Sequence, residues 1–544
     1  MRTSKKFLWG IGVFSLSLSL LGCNGSETED QDLSDVTVHK EGFPIVDEPI
    51  TMTMMAPGTG MMDWEEMPFF QELEKMTNIK FEFVTPPMTD FGTNLNLAFA
   101  SRDLQDVIFA AGSSNLTRAM EIDYGSQGIL IPLEDLIEEY APNLSRILEE
   151  NPVIRRNITS PDGHIYSLPA ISEGGNAIWA SGPLWYNGSW LETLGVTQLP
   201  TTTDEFFELM VRFRDEEPAG PGVEVYPISD GSKLQWMRPW FLSAFGMTSR
   251  GIEEVDGVVR YNATTDNYRA YLEYMHQLWE EDILDPEIFT QSDDQKKAKG
   301  ENNQLGVFQD WYSFFTTGED EVEALKNPMF FPLLSEWSSE RVITASPKMS
   351  TGTFAITETN PNPAAAIRWV DYFYSEEGNI FGNQGPEGYL WEYVANDSGE
   401  QVRVFVEGID LTNTEEERGK ITPFYGITTP GLGVDAPAIL VDRNDEPDTR
   451  YWDFILEQTQ SNIEPYGKVP FPPLALTFEE SNTISIPTAD ITTYLDEMEA
   501  RFITGVEPIN DQTWNEFLET LEQIGSNDLV ETYQQAYDRW SHIE

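Results

Sequence analysis

Hydrophobic positions in the first part of the chain switch between a period of two and a period near 3.6. Ile50-Thr51-Met52-Thr53-Met54-Met55 alternates and runs into Ala56-Pro57-Gly58-Thr59-Gly60, which predicts a strand and then a loop. Phe69, Phe70, Leu73 and Met76 share one face of a helix. Residues 79–84 alternate again and stop at Pro86-Pro87. Leu95, Leu97, Ala98 and Ala100 read as helix, and residues 106–110 as a short buried strand closed by Gly112-Ser113-Ser114. Strands in alternation with helices predict an α/β fold with a parallel, helix-covered sheet. Ligands of such sheets sit beyond the carboxyl ends of the strands. Those ends are the loops around Trp64 and Ser113.

Further along, residues 133–140 form an amphipathic helix after Pro132, and Thr203-Asp204-Glu205-Phe206 opens another with hydroxyl and carboxylate groups that satisfy free amides. Tyr271, Leu272, Met275 and Leu278 keep helical spacing, and Leu305-Gly306-Val307-Phe308 is a short strand followed at once by Gln309-Asp310-Trp311-Tyr312. Residues 351–356 alternate, and Asn360-Pro361-Asn362-Pro363 breaks the chain before a helix through Ala366, Val370 and Phe373. Three helices close the sequence, marked by Ile491, Leu495, Met498 and Phe502, by Trp514, Phe517, Leu518 and Leu521, and by Leu529, Tyr533, Ala536 and Tyr537.

Residues 161–199 organise the rest. Asp162-Gly163 turns, Ile165-Tyr166-Ser167-Leu168 is extended and stopped by Pro169, and Glu173-Gly174-Gly175-Asn176 is small and able to bend. Trp179, Trp185, Tyr186 and Trp190 follow. This reads as the chain leaving one lobe for another with aromatics beside the crossing, a preferred place for ligands. The competing reading is a strand-loop-helix corner with core aromatics.

Charge narrows the partners. Asp plus Glu number 92 against 33 Lys plus Arg, a net charge of -59 over 544 residues, which excludes nucleic acid. With 40% hydrophobic residues the chain folds nonetheless. The acidity fits saline or alkaline surroundings; drift in surface composition is the alternative. Arg2, Lys5 and Lys6 precede an apolar run, residues 7–21, too short to span a membrane comfortably and matching a secretory signal. Its end, Leu20-Leu21-Gly22-Cys23, resembles the lipobox of bacterial lipoproteins, and Cys23 is the single cysteine. No disulfide within the chain is possible, and the expectation is a signal peptide over 1–22, lipidation at Cys23 and an acidic tether over 23–45.

Several stretches resemble the extracellular solute-binding proteins of bacterial ABC importers, in the large lipoprotein branch: residues 70–79, residues 131–137 with Tyr140-Ala141-Pro142-Asn143, and Asp162-Gly163 through Pro169. Leu199-Pro200-Thr201-Thr202, Tyr374-Ser375-Glu376-Glu377-Gly378, Gly385-Pro386-Glu387-Gly388 and Phe502-Ile503-Thr504-Gly505 continue the likeness in order. The resemblance implies a two-lobed, class II periplasmic-binding-protein-like fold with discontinuous lobes: 46–171 and 350–430 in lobe 1, 172–349 in lobe 2, and a helical 431–544 packing mainly on lobe 2. Its crossings fall near residues 171–181, near 350–356 and again after Tyr393. It further implies a monomer on the extracellular face of the membrane, no catalysis, and delivery of solute to permease subunits. Two positions depart from the family. Asn187-Gly188-Ser189-Trp190-Leu191 replaces Arg-Lys-Asp-Trp-Leu, removing an ionic group. Residues 216–224 lack the alternating oxygens of a calcium loop, so no metal and no cofactor is expected.

The expected solute is a carbohydrate, whose C–H faces suit flat rings and whose hydroxyls suit amides, carboxylates and backbone groups. Candidate contacts are Trp64, Ser113, Trp179, Trp185, Tyr186, Trp240, Trp311, Glu387 and Trp391. Of Trp185 and Tyr186, strand alternation sends one to the cleft and the other to the core. A peptide or other non-sugar solute, or a sensor role, is the alternative. A glycoside hydrolase or polysaccharide lyase is weaker: His39, His164, His276 and His542 are scattered and no catalytic motif is present.

Overall fold

In the computed structural model, which describes residues 36–411, 413–445 and 448–543, the alternating segments pair as their pattern requires. Ile50–Met55 lies between two parallel neighbours, Ile79–Val84 and Val107–Phe109. Met349–Ile356 then runs antiparallel to Val107–Phe109, with Leu168–Ser172 beyond it and Gly431–Gly433 at the edge. An antiparallel strand supplied from late in the chain, inside an otherwise parallel sheet, means that the chain leaves this lobe and comes back. Met52, Met54, Phe69, Phe109, Phe354 and Trp369 fill the core between the sheet and its helices. Signal segment, Cys23 and most of the tether lie outside the described residues.

Pro169 was expected to end the extended segment, yet the strand runs through it, Leu168–Ser172. Its ladder with Met349–Ile356 shifts register between Ser350 and Phe354, so no partner there needs the missing N–H. Gly352 sits in this bulge with φ +72°, where a Cβ would come within 2.4 Å of the Leu116 carbonyl oxygen.

Lobe 2 has a smaller sheet. Leu305–Gln309 is central, antiparallel to Leu184–Tyr186 and parallel to Tyr226–Ser229. Its core, built on Trp185, Tyr186, Trp190, Phe206, Tyr271 and Phe330, extends without interruption to Tyr451, Ile491, Phe502, Trp514 and Leu529 from the late helices. Thr202 opens the helix Thr203–Asp215 by accepting from the Glu205 N–H.

The chain crosses between the lobes three times among the described residues. It leaves after Ser172 and reaches Leu184, returns through residues 345–348 into Met349–Ile356, and leaves again after Gly433 to reach the helix Arg450–Asn462. Residues 350–356, read from sequence as a crossing, are themselves sheet; the crossing comes just before them.

The helix Phe478–Ile503 is fastened to lobe 2 by an ion cluster. Glu499 is buried and takes Arg238 Nε at 2.8 Å, Arg250 Nη1 at 2.5 Å and the Tyr271 hydroxyl at 2.9 Å. Burial pushes its carboxyl up, but the two guanidinia outweigh that and hold it below the usual glutamate value. A carboxyl lowered in the folded state contributes stability that is present above its unfolded value and lost as pH falls through the folded one. Glu499→Gln is therefore expected to destabilise by about 3 kcal/mol at neutral pH, because it takes the buried carboxylate from Arg238 and leaves Arg250 only Asp496. In urea titrations the gap from the unaltered chain should narrow as the medium is acidified below the ordinary glutamate range.

Candidate functional site

The register of both sheets dictates where a site can form. Leu168–Ser172 is parallel to Ile50–Met55, Ile79–Val84 and Val107–Phe109 in direction, so every carboxyl end in that set points to the edge from which the crossings depart. In lobe 2 the crossing feeds the amino end of Leu184–Tyr186, which opposes the carboxyl ends of Leu305–Gln309 and Tyr226–Ser229. The two sets of carboxyl ends meet at the crossings.

Trp179 stands at that meeting point, in the first crossing. It forms a bridge with Ala345 in the second, and its Nε1 donates to Thr459 Oγ1 at 3.2 Å on the helix that follows the third. Neighbouring backbone joins the same strands of chain: Ser172 N–H to Lys348 O at 2.9 Å, Glu173 N–H to Gly433 O at 2.7 Å and Ser346 N–H to Ile178 O at 2.8 Å. Gly175 N–H donates to Asp435 Oδ2 at 3.0 Å.

Against Trp179 lies Trp311, centroids 6.3 Å apart and planes inclined by 31°. Trp311 is 48% exposed while Trp179 is 5% exposed, so one ring faces solvent and the other backs it. Tyr312 meets Trp179 edge-on at 6.0 Å, stacks on Phe314 at 5.7 Å and packs near Tyr451 at 6.2 Å. Asn176 Nδ2 donates to the Tyr312 hydroxyl at 3.2 Å. Burial pushes Tyr451 up to about 12, so its hydroxyl stays neutral at ordinary pH. A supported, half-exposed indole of this kind can cover the apolar face of a ring-shaped solute. Loops beyond Ile50–Met55 and Ile79–Val84 carry exposed Met62 and Met88, and a Cβ at Gly419 would fall 3.1 Å from Met61 and 3.0 Å from Tyr425. Methionine adapts to irregular partners.

Of the residues read from sequence, Trp179 and Trp311 come together, and Ser113 is exposed at a lobe 1 carboxyl end. The others take different places. Trp64 is 1% exposed, stacked on Phe70 in the lobe 1 core. Trp185 and Tyr186 are both fully buried, so alternation sends neither to the cleft. The reason is that Leu184–Tyr186 is covered on both faces: Trp185 Nε1 donates to Asp310 O at 2.9 Å, and Tyr186 stacks on Phe330. Trp240 packs edge-on to Phe330, whereas nearby Trp236 is exposed. Glu387 and Trp391 line a surface cavity with Glu72 and Tyr372, apart from the crossings. There Trp391 is covered by Arg403 and donates to Gly385 O at 3.2 Å.

Tyr312 and Tyr451 were missed. The first follows Trp311 directly in an aromatic run, but Tyr451 arrives from far along the chain with no local signal. Asn187, where the family often has arginine, is an interior cap: it accepts from Trp190 N–H at 3.2 Å and donates to Leu305 O at 3.0 Å. Among the described residues no group of three or more His, Cys, Asp or Glu is placed to hold a metal ion.

Two lobes joined by three crossings, with a half-exposed indole at the junction, describe a cleft able to hold a solute. The chain belongs to the bacterial extracellular solute-binding proteins, whose sequence profile matches residues 58–380. Among its relatives, the fructooligosaccharide ABC transporter substrate-binding protein FusA of Streptococcus pneumoniae serotype 4 is 28% identical over 568 residues, covering 98% of each chain. The structure of FusA in complex with kestose superposes with a TM-score of 0.68 at 26% identity, covering 90% of this chain and 99% of that one. A human-milk-oligosaccharide (HMO) binding protein from Bifidobacterium longum infantis shares the fold, with a TM-score of 0.73 at 20% identity over 91% of this chain and 99% of that one. Lipoprotein LipO of Bacillus subtilis is 23% identical over 282 residues, half of each chain.

Close packing where the first crossing ends gives a test. A Cβ at Gly182 would come within 2.4 Å of the Asp310 carbonyl oxygen. Gly182→Ala should cost about 1–3 kcal/mol of stability, read from the shift in urea midpoint, because backbone rather than a flexible side chain must move.

Proposed function

We propose that the protein captures an oligosaccharide between its lobes and passes it, chemically unchanged, to the permease of an ABC importer. The observation that carries this reading is Trp311, half-exposed and backed by Trp179 where the crossings meet. The fructooligosaccharide relative, alike over nearly its whole length, supports the solute class. Lobe 1 in this reading comprises residues 46–172 and 349–433, a little beyond the bounds 171, 350 and 430 expected from sequence because Leu168–Ser172, Met349–Ile356 and Gly431–Gly433 all pair in its sheet, and lobe 2 takes residues 173–348 with the helical 434–544 set mainly upon it. Solute touching both lobes favours the closed arrangement by its extra contacts there, and the bend is taken up in the crossings. The chain works as a monomer held to the outer face of the cell membrane by lipid at Cys23. No helix among the described residues is long and apolar enough to cross a membrane.

Calorimetry with kestose, a milk oligosaccharide and an alginate oligosaccharide tests the reading. At least one should bind stoichiometrically without turnover, and a product would overturn it. Trp311→Ala should weaken that binding by about tenfold or more while leaving the melting temperature of the solute-free chain in place. Small-angle scattering should show the particle contract when that solute is added.

A further inference from the structure

Asp230 is the first residue beyond the strand Tyr226–Ser229. Ser229 pairs with Phe308, so Asp230 lies beside Gln309 on the edge of the lobe 2 sheet that carries Asp310 and Trp311. It is fully buried. Its Oδ2 accepts the Met237 N–H at 3.3 Å, but Oδ1 has no hydrogen-bond partner. Burial pushes the carboxyl up to about 7, against the pull of Lys296, nearby N–H groups and Arg238.

The other acids on this edge are occupied. Asp285 takes Ser229 Oγ at 2.6 Å, Gln291 Nε2 at 3.1 Å and Lys299 Nζ at 2.7 Å. Asp310 takes the Trp311 N–H at 2.8 Å and Thr316 Oγ1 at 2.8 Å. The cations around Asp230 are engaged elsewhere: Lys296 with Gln309 O at 2.6 Å and Asp293 at 2.7 Å, Arg238 with Glu499 at 2.8 Å. An idle carboxylate oxygen in the interior destabilises the fold unless something supplies it with a donor. The loop that covers it is strained as well. Lys233 and Leu234 both hold left-handed backbone, at φ +58° and +62°, which side chains with a Cβ resist. Strain of this sort persists at ligand clamps.

We infer that Asp230 is a solute-contacting residue: with the loop over residues 231–237 displaced, its free oxygen accepts a hydroxyl of a polyhydroxylated solute seated on Trp311. This rests on the reading of the cleft given above. In its ionised form, which predominates above about pH 7, this carboxylate accepts but cannot donate, and so suits neutral sugars, rich in O–H donors. It repels an acidic sugar, since neither Lys296 nor Arg238 is free to neutralise one.

Calorimetry on the full chain, with kestose as the neutral probe and an alginate trisaccharide as the acidic one, distinguishes the outcomes. Asp230→Ala should weaken kestose binding about tenfold or more, the loss of a charge-assisted hydrogen bond. Asp230→Asn keeps the shape and one acceptor, and should lose affinity severalfold while admitting the acidic probe more readily. Solute-free melting of both variants reports folding; if the alanine variant does not fold, the asparagine variant decides. Kestose binding that matches the unaltered chain in a folded variant would mean that an internal water serves Oδ1, and the assignment falls alone. If the unaltered chain binds neither probe nor a milk oligosaccharide, the reading of the cleft falls, and the assignment with it.

Discussion

The two lobes depend on the burial of one indole. Trp179 belongs to the first crossing, bridges to the second through Ala345 and hydrogen-bonds the helix after the third through Thr459. A tryptophan can do this because it joins a large apolar body to a single N–H that must find an acceptor when buried. Its remaining face supports Trp311. Crossings and platform therefore share a side chain, and any rearrangement of the crossings is felt by the half-exposed ring of Trp311.

Rigidity elsewhere directs motion to that place. The lobe 2 core runs unbroken into the late helices, and the Glu499 cluster pins the longest of them to Arg238 and Arg250. Lobe 1 has its own core under Trp369 and Phe109. Between them the chain offers Gly174-Gly175, where the Gly175 N–H is held by the Asp435 carboxylate and the backbone has the freedom of two glycines. Small differences in contact energy between the arrangements are then enough to let a solute shift their populations.

Much of the fold is legible because short-range periodicity reports burial. The alternation at residues 50–55 and 79–84 and the helical spacing at Phe69, Phe70 and Leu73 correspond to the observed strands and helix. Pro169 misled because tolerance of a missing N–H depends on a bulge in a partner strand almost two hundred residues away. The aromatics divide in the same way. Trp185, Tyr186, Trp64 and Trp240 look like Trp179 and Trp311 in sequence, yet the first four lie in lobe cores. Which indole is a platform depends on whether its strand end is covered, and that cover comes from other segments.

Local pattern was sufficient to establish an α/β chain that alternates strand and helix, and the charge balance to set its acidic surface, because periodicity and charge are properties of neighbours and of totals. The cleft was decided by packing at long range. Met61 beside Tyr425, Tyr451 beside Tyr312 and the unpartnered oxygen of Asp230 follow from how returning segments of a discontinuous lobe fall against one another. No window of sequence contains both members of such a contact, so only the closed tertiary structure could bring them together.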